Sequence, residues 1–166
     1  MPPRPELALS LQFADARHRP LVPRHLVVRC IRWALERPAQ LTVRVVAEVE
    51  ARQLNRNYRG RDYPTNVLTF DYQHAPIVVA DLVLCAPVLE REALQAGRAV
   101  VAHYVHLLVH GTLHAQGYDH VRLAEARRMQ ALEVAVLARL GLPDPYLAPP
   151  GTQPPARSSR AASRAK

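Results

Sequence analysis

Three histidines, His110, His114 and His120, stand in the run HGTLHAQGYDH and hold the clearest chemistry of the chain. The first two are four residues apart, so on a helix they project from one face, about 6 Å apart along the axis. Gly117 offers a left-handed helix stop, after which the reversed chain can bring His120 back over the same point in space. Three neutral imidazoles converging from a helix and the turn behind it make a facial site for one divalent metal. Zn2+ suits it best, one per chain, with the fourth position left to water. That is the arrangement of a hydrolytic centre rather than of a closed structural site.

The spacing His-x3-His-x5-His, with glycine seven residues after the first histidine, matches the extended zinc motif of the metzincin proteases at every ligand and at the glycine. One position differs. Where those enzymes carry the glutamate that takes a proton from water, this chain has Gly111. The metal cage is kept and the peptidase base is absent, which argues against a metallopeptidase. His103 lies nearly two turns from His110, roughly 10 Å along a helix, too far to share the ion. It is expected to be a satisfied structural histidine or to line the cleft. Asp119, beside the third ligand, could orient an imidazole, take a proton from water, or simply stabilise the turn.

These side chains need a scaffold, and the hydrophobic pattern supplies one. Leu7, Leu9, Leu11 and Phe13 alternate with small or polar residues, a strand with one buried face. Leu26, Val27, Cys30, Ile31 and Leu35 recur at helical spacing before Pro38. Leu41, Val43 and Val45 alternate as a second strand. A helix follows from Ala47 to about Asn57, with Val49, Ala51 and Leu54 expected inward. The turn-rich YRGRDYPT leads into a third strand at Val67–Phe70, and the continuous apolar run from Ile77 to Cys85 predicts a central fourth strand. Ala86 to about Ala96 reads as a helix stopped by Gly97.

The helix expected from about Arg98 to Gln116 is unusual. At 100° steps around its axis, Val101, Tyr104, Val105, Leu107, Leu108, Val109 and Leu113 occupy most of the circumference, and a narrow stripe holds His103, His106, His110 and His114. Such a helix belongs in the middle of a domain. Burying unpaired imidazoles costs on the order of 1–3 kcal/mol each, so a cleft or a metal is expected along the stripe. A last helix, about Val121 to Leu140, is expected to turn Leu123, Met129, Leu132, Val136 and Leu140 to one side.

The 166 residues suffice for one domain with a true core. No stretch approaches the roughly 20 apolar residues that cross a bilayer, and the N-terminal MPPRPELALS lacks the apolar run of a secretory signal. Cys30 and Cys85 imply buried thiols rather than a disulfide framework, so a cytoplasmic protein with no membrane association is expected. Of the formal charge of +8, half lies on Arg157, Arg160, Arg164 and Lys166, in a tail of Pro, Ala, Ser and Arg expected to be disordered over 149–166. A basic body and tail suit a polyanion such as RNA.

Two segments, LNRNYRGRDYPTNVLTF (Leu54 to Phe70) and HGTLHAQGYDH, resemble the signature stretches of the YbeY family of bacterial metal-dependent endoribonucleases acting in rRNA maturation and ribosome quality control. Weaker similarity runs through Leu41–Val46, Asp81–Cys85, the Glu125, Met129 and Glu133 positions, and Asp144–Tyr146. The resemblance implies that His110, His114 and His120 ligate zinc and that Arg59 is the functional arginine across the cleft, with Arg59 and His114 as the catalytic pair. An arginine fork there can clamp a scissile phosphate. Asn55, Arg56, Arg61, Asp62, Thr65 and Asn66 would hold the loop or touch RNA. Ala80 and Ala115 depart from the family pattern in the manner of packing changes.

The expectation is therefore one α+β domain over residues 1–148, a small mixed sheet of about four strands packed with helices around a buried central His-bearing helix. The implied activity is a zinc-dependent, single-strand-specific endoribonuclease maturing the 16S rRNA 3′ end. Its partners would be ribosomal RNA and the small subunit, with ribosomal proteins or assembly GTPases also in reach. A ribosome-assembly RNA-binding factor with a structural metal is the alternative reading, and a metallopeptidase the more distant one.

Overall fold

A computed structural model describes residues 4–118 and 122–147 of the chain. They form a four-stranded mixed sheet and five helices, in the order β1 (Leu7–Phe13), α1 (Arg24–Ala34), β2 (Ala39–Val46), α2 (Glu48–Arg59), β3 (Val67–Gln73), β4 (Val78–Cys85), α3 (Ala86–Ala96), α4 (Val100–Ala115) and α5 (Leu123–Arg139). The strand order is β1-β2-β4-β3, with β1, β2 and β4 parallel and β3 antiparallel on the edge beside β4. The expected α+β class and strand count hold, and each element lies within a few residues of its sequence signal. Among the described residues no helix is long and apolar enough to cross a membrane.

β4 is interior and covered on both faces. Ala80, Leu82 and Leu84 join the main core, whereas Val83 and Cys85 join a smaller cluster with Val46, Ala51, Leu68 and Val88 beneath α2. Two-sided burial is why this strand reads as an unbroken apolar run instead of an alternating one. Both cysteines are buried, and burial pushes the Cys30 thiol up to about 11.

α4 is the central helix. Tyr104, Val105, Leu107, Leu108, Val109, Gly111, Thr112, Leu113 and Ala115 are buried, and beyond its first turn (Val100 to Ala102) only the His103–His106–His110–His114 stripe keeps partial exposure. Ala80 and Ala115 are 1% and 0% exposed, so the small residues at these positions sit inside the core. Two inward expectations fail. Val49 is 72% exposed, because α2 meets the sheet through Ala51 and Asn55, one turn apart, on a different face. Leu123 is 68% exposed, since α5 begins there and its buried face runs through Met129, Glu133 and Leu137.

α4 lies close against the sheet at Gly111. A Cβ built there would lie 3.1 Å from Leu82 Cδ2 and 3.6 Å from Thr69 Oγ1. A glutamate after the first histidine would thus press its first carbon against the Leu82 side chain, which glycine avoids. Gly111→Glu should lower stability by about 1–3 kcal/mol through overpacking, measured as a shift of the denaturant midpoint. An unshifted midpoint would mean that the interface between α4 and β4 yields more easily than this contact implies.

Candidate active site

The stripe on α4 is organised by carboxylates and carbonyls that grip the imidazoles. His103 Nε2 lies 2.8 Å from Glu92 Oε1, and Glu92 also accepts from Asn66 Nδ2 at 3.1 Å. The His103 hydrogen bond, opposed by burial and aided by Asn66, holds the Glu92 carboxyl below its ordinary range. His106 Nε2 lies 2.9 Å from Glu133 Oε2, and His110 Nδ1 lies 2.7 Å from Glu133 Oε1. His114 Nδ1 is 2.7 Å from the Tyr118 carbonyl. His103 and His106 each have an acidic side chain on Nε2, so His103 is the satisfied structural histidine that the sequence led one to expect.

Those partners dictate tautomers. A carbonyl oxygen can only accept, so His114 Nδ1 carries the hydrogen. Glu133 is 1% exposed, and burial alone would raise its pKa. The hydrogen bonds from His106 and His110 outweigh burial and hold the carboxyl well below its ordinary range. With the Tyr146 hydroxyl donating to Oε2 at 2.6 Å and His106 Nε2 beside it at 2.9 Å, the carboxylate is the acceptor of the cluster, and His110 Nδ1 donates to Oε1. In the neutral rings of both His110 and His114 the lone pair is on Nε2, the nitrogen a divalent ion takes, and the Nδ1–H is tied behind it. This donor set suits a metal held by imidazoles. His120 and Asp119 lie outside the described residues, and among the described residues no group of three metal-ligating side chains converges.

The turn after α4 is pinned from the side of α1. Gln116, 7% exposed, donates to the Ala34 and Thr112 carbonyls at 2.8 and 3.1 Å and accepts from the Glu36 N–H at 2.7 Å. Gly117 has φ +103, with its N–H on the His114 carbonyl at 3.0 Å, so the helix ends at the expected glycine.

Arg59 arrives from the other side. It is the last residue of α2, whose C-cap Gly60 adopts φ +71 and turns the chain sharply into the following loop. Asn55, 0% exposed, reaches from α2 to the Tyr63 carbonyl at 2.8 Å and so holds that loop in place. Asp62 pairs with Arg52 through two contacts of 2.8 and 3.0 Å on the surface, a bond of small energetic weight. Asn66 and Thr65 line the cleft wall. The result is a cavity of about 430 Å3 lined by Tyr58, Arg59, Thr65, Asn66, the start of β3, Asp71, His110 and His114. Arg59, His110 and His114, remote in sequence, meet in one cavity.

Glu133 was given no role in the sequence reading. Its signal was present: it stands four residues after Met129 and four before Leu137, a carboxylate on the apolar face of a helix.

Over residues 13–141 the chain matches a family model described as endoribonuclease YbeY. The endoribonuclease YbeY of Methylibium petroleiphilum is 64% identical over 145 residues, covering 87% of this chain and 97% of that protein. That of Verminephrobacter eiseniae is 57% identical over 155 residues, covering 91% and 100%. A solution structure of a protein from Thermotoga maritima matches with a TM-score of 0.55 at 21% identity, covering 87% of this chain and 99% of that one, a likeness of fold. With the family model spanning β2, β3 and β4, the helix of histidines and the Arg59 loop together, the chain belongs to the YbeY family of endoribonucleases.

Proposed function

We propose that this chain is a single-strand-specific, zinc-dependent endoribonuclease acting in 16S rRNA 3′-end maturation and ribosome quality control in the cytoplasm. The observation that supports it most is the shared cavity: a guanidinium and two imidazoles of matched tautomer face one space in a chain of a ribonuclease family.

His110, His114 and His120 would hold the ion. When bound, zinc supplies Lewis-acid polarisation of a phosphoryl oxygen and lowers the pKa of water toward neutrality. Arg59 offers two parallel N–H donors to the non-bridging oxygens of the scissile phosphate and offsets the charge that builds there. Its position at the exposed end of a helix lets the fork reach the phosphate, while Asn55 and Gly60 keep the helix end in register. Gly111 leaves the first ligand without a neighbouring base. Among the described residues, the carboxylate lining the cavity is Asp71, which already accepts from His74 Nε2 at 2.8 Å. Turnover is expected to be slow, with the attacking oxygen drawn from water or from the adjacent 2′-hydroxyl.

Tyr58 supports the preference for single strands. Its ring is 56% exposed, lines the same cavity, and leans on Phe70 at a centroid distance of 4.3 Å. An exposed ring beside an arginine accepts a base that is splayed out, and duplex bases are already stacked on one another. A net charge of +8 adds sequence-independent attraction to the RNA backbone.

Protein purified without a nickel column should contain about one zinc per chain by elemental analysis, and His114→Ala should lose both metal and RNA cleavage. If His114→Ala folds and fully rescues rRNA processing in a deletion strain, the metal is structural and the chain is an assembly factor. Arg59→Ala should keep its metal while kcat/KM on single-stranded RNA falls by about 10²-fold or more; unchanged cleavage removes Arg59 from the site. Tyr58→Ala should raise KM about tenfold, as expected for the loss of one base stack, and Tyr58→Phe should restore it. Equal KM values for all three proteins would exclude stacking at this ring.

A further inference from the structure

We infer that Glu133 is a positioning residue for His110: its buried carboxylate holds that imidazole as the Nδ1–H tautomer and aims Nε2 into the cavity where the metal is read to sit. The inference rests on the metal reading proposed above and adds to it a residue from α5, an element that contributes nothing to the lining of the Arg59 cavity.

The geometry separates the two oxygens. Oε1 takes His110 Nδ1 at 2.7 Å, while Oε2 takes His106 Nε2 at 2.9 Å and the Tyr146 hydroxyl at 2.6 Å. A carboxylate that is 1% exposed is costly unless its lone pairs are filled, and here three donors fill them. Two of those donors, His106 and Tyr146, are enough to clamp α4 and the segment after α5 together. The His106 ring makes no other hydrogen bond among the described residues, its Nδ1 being buried without a partner. The remaining oxygen faces the ring of His110.

A second pair on the same helix provides the contrast. Glu92 grips His103 at 2.8 Å in the same carboxylate–imidazole manner, but that ring lies roughly 10 Å up the helix from His110 and outside the cavity. Both described ligands are held through Nδ1, His114 by a neutral carbonyl and His110 by an ionised carboxylate. A charged acceptor behind the ring raises the electron density at Nε2 and strengthens its bond to a metal, an effect usually worth about 10- to 100-fold in affinity.

The test uses the full-length chain, stripped with chelator, and zinc alone as the probe, with affinity measured by competition against a chromophoric chelator. Glu133→Gln keeps the volume and removes the charge; its zinc dissociation constant should rise about 10- to 100-fold. Glu92→Gln should stay within about twofold of the parent, because the ring it holds is not a ligand. Equal affinity in the Glu133→Gln and parent chains overturns the inference and leaves the metal reading standing. A parent chain that binds no zinc overturns both. As a measurement that needs no variant, long-range 15N–1H spectra of the histidine rings in the apo protein at pH 8 should show His110 as the Nδ1–H tautomer. An Nε2–H ring overturns the inference whether or not Glu133→Gln folds.

Discussion

The contact between α4 and the sheet is the constraint on which the rest of the molecule depends. A helix that is apolar around most of its circumference has to be enclosed, and α1, α3, α5, β3 and β4 all touch it. At Gly111 even a Cβ would press on Leu82 and touch Thr69, so the bare glycine lets the helix lie close against β4 and β3. Once it is seated there, its single polar stripe has one way to face. The lower end of the stripe meets the edge strand β3 and the end of α2, and that junction is the cavity.

Enclosing a row of imidazoles creates an electrostatic problem that the fold answers with acids from two other helices. Glu92 from α3 and Glu133 from α5 each accept from the stripe. The buried Glu133 carboxylate and the partly buried imidazoles would each be unfavourable alone, and the pairing offsets much of that cost. The same pairing has a chemical consequence. A histidine whose Nδ1–H is occupied can offer only Nε2, so the bonds that make burial tolerable also select the nitrogen presented to the cavity.

Much of this was legible in one dimension. Among the described residues, periodicity located the four strands and the five α-helices, since alternation and the 3.6-residue repeat follow directly from where side chains point. The His103–His114 stripe, the stop at Gly117, the burial of both cysteines and the interior position of β4 were visible in the same way. The wrong inward assignments, Val49 and Leu123, share a cause. Each is an apolar residue in the first turn of its helix, where the chain is still leaving a loop and the packing partner lies further along. Local pattern says that a residue is apolar, and only the neighbouring element decides whether it is covered.

The candidate site divides along the same line. Residue type and spacing within one short run were enough to name His110, His114 and His120 as potential ligands and to show the missing base at Gly111, because a helix and its stop impose that geometry locally. The meeting of Arg59 with His110 and His114, the three-way contact at Glu133, and the role of Asn55 in holding the loop depend on chain segments tens of residues apart. Those depend on sheet order, helix seating and the closing of α5 over α4. They are properties of packing, and no local pattern encodes which distant acid will be left facing which ring.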